Sequence, residues 1–344
     1  MPFSLLALAA LALCSTASAL QKFQFTQFYP EYRQTFTKTI TNNCSTVFQQ
    51  YLSSPPGLLF NPSYTLVFNC LVANTQELIK SDMASSSVVL GLMPTILSLL
   101  GTTTPELALL SSRRPLLAFF LPIGSPPVNP IRAFDYHQPI EALKHGKSLL
   151  GGKFQSKYSR LIVLLELIAT GAAFANIWTV TLQLGQWTVI STGCGFIWKE
   201  MIWVGSAVVI HLFGTLAFSF RTKVEHSGST TSGTLVQRLI ERLKRWAKSE
   251  FVSCRTQTKH TLIWQSENVW FLGLSWWASM ATIAHIVYGT STFSSATFIG
   301  QNDAVAVFAR YATSVAVCRI VVAYELSGLR ATIRVVEETE SPSE

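Results

Sequence analysis

The sequence predicts an all-α membrane protein: a helical bundle of four firm spans, with a fifth candidate span and a small external N-terminal segment. Apolar runs lie at 83–101, 161–182, 201–220 and 269–288, and each can form a helix long enough to cross the hydrocarbon core. Only 13% of the residues are charged, whereas about a quarter are charged in ordinary globular domains. The positive charge is concentrated beside the apolar runs, which also favours this class.

Most of the positive charge lies in two segments. Eight of the 26 Lys and Arg residues fall within 111–160 and nine within 221–261, so these segments carry a net charge of +12 and the rest of the chain −4. Cytoplasmic loops of multi-spanning proteins are enriched in Lys and Arg. We therefore assign 102–160 and 221–268 to the cytoplasm and expect anionic inner-leaflet lipids as partners. No nucleic-acid partner is expected, because the basic residues border apolar spans and form no folded basic domain.

Residues 1–19 are typical of a cleaved signal peptide. An apolar core over 5–13 is followed by Ala-Ser-Ala at 17–19, a small-x-small cleavage site. The core is too short to cross a bilayer, although it lacks the preceding Lys or Arg that signal peptides usually carry. The mature chain is therefore expected to begin at Leu20, outside the membrane, in a protein of the secretory pathway that reaches the plasma membrane.

The external segment over 20–82 is rich in Phe and Tyr. A segment of this size is marginal for an independent core, so a covalent staple or docking onto the membrane part is expected. We predict a disulfide between Cys44 and Cys70, which would close a loop of about 25 residues and contribute about 3 kcal/mol. The alternative is two free buried thiols. Asn43 begins an Asn-x-Ser acceptor triplet and is a predicted glycosylation site.

Span 1, over 83–101, is uncharged, and Pro94 is expected to kink its helix. The cytoplasmic segment that follows contains a ten-residue apolar run over 115–124. Because this run is too short to cross a bilayer, it is typical of an interfacial or re-entrant piece.

Spans 2, 3 and 4 follow at 161–182, 201–220 and 269–288, and 183–200 is a short external loop. Tryptophans lie near the predicted ends of these spans, as they do at membrane interfaces. These are Trp178, Trp187, Trp198, Trp203, Trp264 and Trp270.

Each of these three spans carries one ionisable residue: Glu166, His211 and His285. Ionisable groups inside a membrane are costly and are functional candidates. From the cytoplasmic ends their depths are roughly 9, 15 and 24 Å at helical rise. Such a ladder favours a proton relay and disfavours shared metal ligation. The alternative is that each residue makes one interhelical hydrogen bond.

An amphipathic helix is predicted over 235–252 in the second cytoplasmic segment. One face is apolar, and a basic face is expected to bind the inner membrane surface. The same pattern is found in helices that bind a protein partner. The basic face consists of Arg238, Arg242, Lys244, Arg245 and Lys248.

The C-terminal region over 289–344 contains a fifth candidate span at 304–324. Arg310 and Arg319 interrupt it, about half a turn apart around a helix, so one face cannot hide both. If this segment crosses the membrane, the acidic tail is cytoplasmic; otherwise the tail is external.

Two stretches resemble a group of multi-spanning membrane proteins of filamentous fungi. The first lies within 84–139 and includes ASSSVVLGLMPTILSLLG, SSRRPLLAFF and NPIRAFDYHQP; the second lies within 308–330 and includes FARYATSVAVCR and YELSGLR. The resemblance covers about a quarter of the chain and implies a fungal protein of the secretory pathway or plasma membrane. It implies no activity and no site residues.

The sequence contains no H-E-x-x-H, no G-x-S-x-G and no cysteine pair with zinc spacing, which argues against a hydrolase or a metal site. No cofactor is expected. The predicted function is therefore a non-enzymatic membrane protein that binds or organises partners. The alternative is a proton-linked carrier that uses Glu166 and His211.

Overall fold

The structure is a computed structural model, and it describes residues 24–54, 62–130, 159–191, 198–225, 250–254 and 260–337. Within these residues the chain forms an all-α membrane-type bundle, which confirms the predicted fold class. The helices are α1 Arg33–Asn42, α2 Ser45–Ser53, α3 Pro62–Ala73, α4 Glu77–Ser98, α5 Thr104–Ser111, α6 Pro115–Gly124, α7 Ser159–Trp187, α8 Lys199–Ser219, α9 Val269–Ser294 and α10 Gln301–Thr332. The strands are β1 Val189–Ile190, β2 Thr222–Glu225, β3 His260–Trp264, β4 Ala296–Thr297 and β5 Ile333–Glu337.

Among the described helices, α7, α8, α9 and α10 are long and apolar enough to cross a membrane. Three of them contain the predicted spans 2, 3 and 4, and α10 contains the fifth candidate span. Helix α4, which covers most of predicted span 1, is not one of the four. Its apolar part begins at Met83 and the helix ends at Ser98, and 16 residues are too few to cross the hydrocarbon core comfortably. The four helices indicate an integral membrane protein.

The two arginines of α10 that interrupt the predicted span, Arg310 and Arg319, have separate polar partners. Arg310 donates from Nη1 to Gln183 Oε1 at 2.7 Å and from Nη2 to Thr179 Oγ1 at 2.9 Å. Arg319 forms an ion pair with Glu106 of α5. Because each guanidinium is matched by acceptors from another helix, the helix can carry both charges without leaving either unpaired.

The chain divides into two compact units. The first comprises the described parts of Met1–Ile96, Trp178–Trp203 and Val287–Ala312; the second comprises those of Leu97–Ile177, Val204–Ile286 and Thr313–Glu344. The boundaries fall inside five of the helices, so each of these helices contributes residues to both units.

The core of the first unit is aromatic. Phe36 is fully buried, and its ring lies 5.1 Å from those of both Phe28 and Phe298, between ring centroids. The predicted disulfide between Cys44 and Cys70 is present and links the start of α2 to α3. Strands β1 and β4 pair in antiparallel register beside this core. The described residues within 24–73, which include the helices α1 to α3 and are hereafter called the N-terminal module, are thus joined into one packed unit.

In the second unit, residues 101–130 are largely buried, although the sequence assigned most of them to a cytoplasmic loop. Leu107 and Leu110 of α5 and Leu117 and Leu121 of α6 pack in one core with Val322 of α10. A Cβ at Gly124 would lie 2.9 Å from the Cys318 sulfur, so this close approach of the α6 backbone requires glycine. The ten-residue apolar run is therefore a core helix of this unit, followed by a buried irregular segment over 125–128.

A three-stranded sheet, which the sequence did not predict, also belongs to the second unit. Strand β3 pairs antiparallel with β2 and parallel with β5. The strands follow α8, precede α9 and follow α10, so the sheet joins the ends of three long helices.

Candidate functional site

Besides Arg221, which pairs with Glu267, five charged residues of the described second unit are almost completely buried. Burial of a charge is costly unless a partner of opposite charge and hydrogen bonds compensate it. Each of the five residues is exposed by 9% or less: Arg113 and Arg114 between α5 and α6, Glu166 on α7, Glu250 in the segment 250–254, and Glu325 on α10. We call these five residues the buried charge cluster.

Arg114 lies at the centre of the cluster and has no exposed side-chain surface. Its Nη1 atom donates to Glu166 Oε2 and also lies 3.1 Å from Glu325 Oε1. One guanidinium nitrogen is therefore shared by carboxylates from two different helices. This arrangement ties the turn between α5 and α6 to both α7 and α10.

Glu325 is the best satisfied carboxylate of the cluster. Besides the ion pair with Arg114, it accepts hydrogen bonds from the Ser253 hydroxyl and from the Cys254 backbone N–H, both at 2.9 Å. Three donors from two segments stabilise an ionised carboxylate in a buried site. Burial, with the Glu325 charge nearby, raises the pKa of the Cys254 thiol, so this thiol is held neutral.

Glu250 caps the N-terminus of α6. Its carboxylate accepts from the backbone N–H groups of Leu116 at 2.6 Å and Leu117 at 3.4 Å. The N-cap residue of α6, Arg114, provides no side-chain cap of its own, so a carboxylate from a distant segment takes that role. The positive end of the helix dipole also favours an anion there. Burial raises the pKa of Glu250, and the two backbone hydrogen bonds oppose that shift.

Glu166 is the least satisfied carboxylate of the cluster. Its Oε2 accepts from Arg114, whereas its Oε1 is buried and has no hydrogen-bond partner among the described residues. A buried carboxylate with one bare oxygen is unfavourable as an anion. Glu166 and Glu325 thus differ sharply in how well each can carry a negative charge.

The two predicted relay histidines lie elsewhere in the second unit. The His285 Nε2 atom lies 3.0 Å from the Pro126 carbonyl oxygen, which can only accept, so Nε2 carries the proton. In the neutral ring Nδ1 then accepts from the Ser206 hydroxyl at 2.8 Å. His211 is 3% exposed, and neither of its ring nitrogens has a hydrogen-bond partner in the described part of the chain.

The structure thus places all three predicted relay residues in the second unit and connects Glu166 to Arg114. The relay through Glu166, His211 and His285 stays a prediction. The sequence reasoning did not identify Arg114 or Glu325 as partners of Glu166. The sequence contains one indication of this site. Arg113 and Arg114 directly precede an apolar run that is too short to cross a bilayer, and a buried helical hairpin would carry its charges at that position.

Other predicted sites fall partly outside the described residues. The signal peptide over 1–19 and the basic residues Arg238, Arg242, Lys244, Arg245 and Lys248 lie outside them, so membrane-surface binding stays a prediction. Asn43 is exposed, as a glycan acceptor must be, and its Nδ2 donates to Asn74 Oδ1 at 2.8 Å. Cys254 and Cys318 are free and buried.

No family model, no curated protein and no solved structure matches the chain. Within the described residues, no group of three or more His, Cys, Asp and Glu side chains could hold a metal ion. The functional interpretation therefore depends on the geometry of the two units themselves.

Proposed function

We propose that the protein is a non-enzymatic membrane protein that binds and organises partners, with the N-terminal module as its binding surface outside the plasma membrane. The observation that supports this function best is the rigid construction of the module. A preformed surface loses little conformational entropy when a partner binds.

Polar contacts fix the module to the start of α10. The Glu31 carboxylate accepts from the backbone N–H of Asn302 and from its Nδ2, at 3.2 and 2.8 Å. The Asp82 carboxylate accepts from the Tyr32 hydroxyl at 3.1 Å and from the Gln301 N–H at 3.0 Å. Both carboxylates lie at the N-terminus of a helix, where negative charge is favoured. The module therefore has a defined position within its unit.

The outward surface of α1 is polar and free to meet a partner. Its exposed residues are Arg33, Gln34, Thr35, Thr37, Lys38, Thr41 and Asn42. The adjoining Asn43 acceptor triplet and the disulfide are both typical of the lumen of the secretory pathway and of the cell exterior. These features support an external module that contacts another protein through polar groups.

The proposal is tested by gentle extraction of the tagged protein from its own membranes, followed by native gels and mass spectrometry. We expect a stoichiometric partner with the wild type and its loss in the Cys44→Ser/Cys70→Ser variant, which loosens the module. The matched control is Cys254→Ser, which removes a buried cysteine of the other unit and should retain the partner. A wild-type protein that is only a monomer or homo-oligomer would contradict the proposal.

A second candidate, a proton-linked carrier that uses Glu166 and His211, is supported by a specific observation. Each of these two residues is buried in a membrane-spanning helix and has a polar atom without a partner among the described residues. Such atoms are suited to exchange protons. In proteoliposomes, Glu166→Gln should abolish pH-driven flux, and the Glu106→Gln control should preserve it. Normal flux in Glu166→Gln would exclude this mechanism.

A further inference from the structure

We propose that Arg114, Glu166 and Glu325 form a proton-binding site, in which Glu166 holds one proton at neutral pH and Glu325 is the ionised partner of Arg114. The ligand is a proton that exchanges with water. This inference rests on neither the organising nor the carrier function, because it concerns the charge state of the site and applies to both.

The charges of the buried cluster require one proton. Two arginines contribute two positive charges and three carboxylates contribute three negative charges, so the fully ionised cluster has an excess negative charge. A buried site tolerates an uncompensated charge poorly. One proton on a carboxylate makes the cluster neutral.

Hydrogen bonding decides which carboxylate takes the proton. Glu325 has three donors and Glu250 has two backbone donors at a helix N-terminus. Glu166 has one donor and a buried oxygen with no partner in the described part of the chain. Since hydrogen bonds to a carboxylate favour its ionised form, the proton belongs on Glu166.

Glu325 provides a hydrogen-bond acceptor for the proton on Glu166. Glu166 Oε2 and Glu325 Oε1 lie 2.5 and 3.1 Å from the same atom, Arg114 Nη1, so the two carboxylates share one site. Two carboxylates that share a site cannot both ionise without strong repulsion, so one proton held between them is the favoured state. The protonated Glu166 can then donate to Glu325 while its other oxygen still accepts from Arg114.

Among the described residues, the charged and titratable groups that interact with this pair come from three segments. The turn between α5 and α6 supplies Arg113 and Arg114, the segment 250–254 supplies Glu250 and the neutral thiol of Cys254, and α10 supplies Glu325. Loss of the proton would put two anions on one guanidinium nitrogen. Proton release is therefore coupled to the contacts that hold these segments together.

The test is infrared spectroscopy of the full-length protein in lipid nanodiscs, with the C=O stretching band of a protonated carboxyl group as the readout. We expect the wild-type band at neutral pH to contain a component from Glu166 that is lost at alkaline pH and is absent from Glu166→Gln. Glu200, which is fully buried and has no partner for either carboxylate oxygen among the described residues, can contribute a second component. The control is Glu106→Gln, which should leave the band unchanged, because the Glu106 carboxylate accepts from Arg319 and from the Thr103 N–H. An identical band in the wild type and Glu166→Gln would overturn the proposal.

A second variant tests the role of Glu325. In Glu325→Gln, Arg114 retains only Glu166 as its anionic partner within the site, so Glu166 should ionise and its component of the band should disappear. Persistence in Glu325→Gln of the component that Glu166→Gln lacks would contradict the shared proton. Failure of Glu166→Gln to fold would also count against the proposal, because a glutamine amide reproduces the shape and neutral charge of a protonated carboxyl group. Neither readout requires a partner or a transported substrate.

Discussion

The two units of the molecule are stabilised by different kinds of interaction. The first has a disulfide and a core of aromatic rings that meet mostly edge to face or at a tilt, although the fully buried Glu200 also belongs to this unit. The second contains the buried charge cluster, in which five charged side chains lie between short and long helices. The difference shows where chemistry that depends on charge can occur: the first unit is suited to present a fixed surface, and the second is suited to respond to protons.

The energetics of the two units should differ accordingly. Neutral burial stabilises in proportion to the apolar area removed from water. A buried ion pair contributes little net stability, yet removing one partner is severe because it leaves the other charge uncompensated. The stability lost on truncating a side chain of the first unit should therefore increase with the size of that side chain. In the second unit the loss should depend on which charge remains buried.

The largest effect is expected from Arg114→Met. It leaves Glu325 buried without its cation, and loss of one partner of a buried pair costs about 3–5 kcal/mol. The measurement is the free energy of unfolding from denaturant titration in micelles. Arg33→Met is the matched control, since Arg33 is exposed and lies over the Trp187 ring at 5.7 Å. This substitution should lower the free energy of unfolding by less than about 1 kcal/mol. The double variant Arg114→Met/Glu325→Met should recover part of the loss; equal costs for the single and double variants would contradict this account.

Phe298→Ala should produce a loss of similar or slightly smaller size in the first unit. The ring packs against Phe28, Phe36 and Phe68, and loss of a buried phenyl group typically costs about 3–5 kcal/mol. Phe298 also has a φ of 62°, a left-handed backbone that is unfavourable for a bulky residue. Phe298→Gly relieves that strain, so it should be no less stable than Phe298→Ala, although glycine normally destabilises relative to alanine. The opposite order would show that the backbone here is not strained.

The sequence predicted the parts of the fold that depend on local composition. Helices α7, α8 and α9 follow from uninterrupted apolar runs. The sequence did not decide whether the segment that forms α10 is a span. The acceptors that satisfy Arg310 and Arg319 are far away in the chain and cannot be identified from spacing. Predicted span 1 stays a prediction: the apolar run over 83–101 continues three residues beyond the last helical residue, Ser98.

The buried charge cluster could not be predicted for the same physical reason. Arg113 and Arg114 fit the pattern of cytoplasmic basic residues, and Glu250 fell within a predicted amphipathic helix. Glu325 lies one residue beyond the predicted end of the last span. Only the long-range packing of α5 and α6 against α10 converts these separate charges into a site. The disulfide, by contrast, needed only two cysteines in one external segment.

Loss of the disulfide should have a smaller effect than loss of a core phenyl ring. In Cys44→Ser/Cys70→Ser, the unfolded chain regains the conformational freedom of the closed loop, which costs about 3 kcal/mol in the chain-entropy model. Thermal unfolding with and without reductant measures this effect: reductant should lower the wild-type midpoint to that of the variant. Cys318→Ser, at a free buried cysteine, is the control and should keep the reductant-induced shift. A wild-type midpoint that does not respond to reductant would contradict a stabilising bridge.

The smallest effect concerns the pH dependence conferred by Glu250. Burial raises the pKa of Glu250 above its ordinary value of 4.5, so the folded protein keeps this proton to a higher pH than the unfolded chain does. The resulting stability is fully present below the unfolded pKa and is lost as the pH rises through the higher folded-state pKa. Glu250→Gln removes this titration, so its free energy of unfolding should fall less steeply than that of the wild type as the pH increases from 4.5.

Glu250→Ala separates titration from capping. It removes the same ionisable group but also both hydrogen bonds to the N-terminus of α6, and loss of a helix cap costs about 1 kcal/mol. The two variants should therefore share the flatter pH dependence, while the alanine variant is less stable at every pH. If the glutamine variant kept the wild-type slope, Glu250 would titrate in the folded protein as it does in the unfolded chain, and the pH response of the second unit would come from the pair of Glu166 and Glu325 alone.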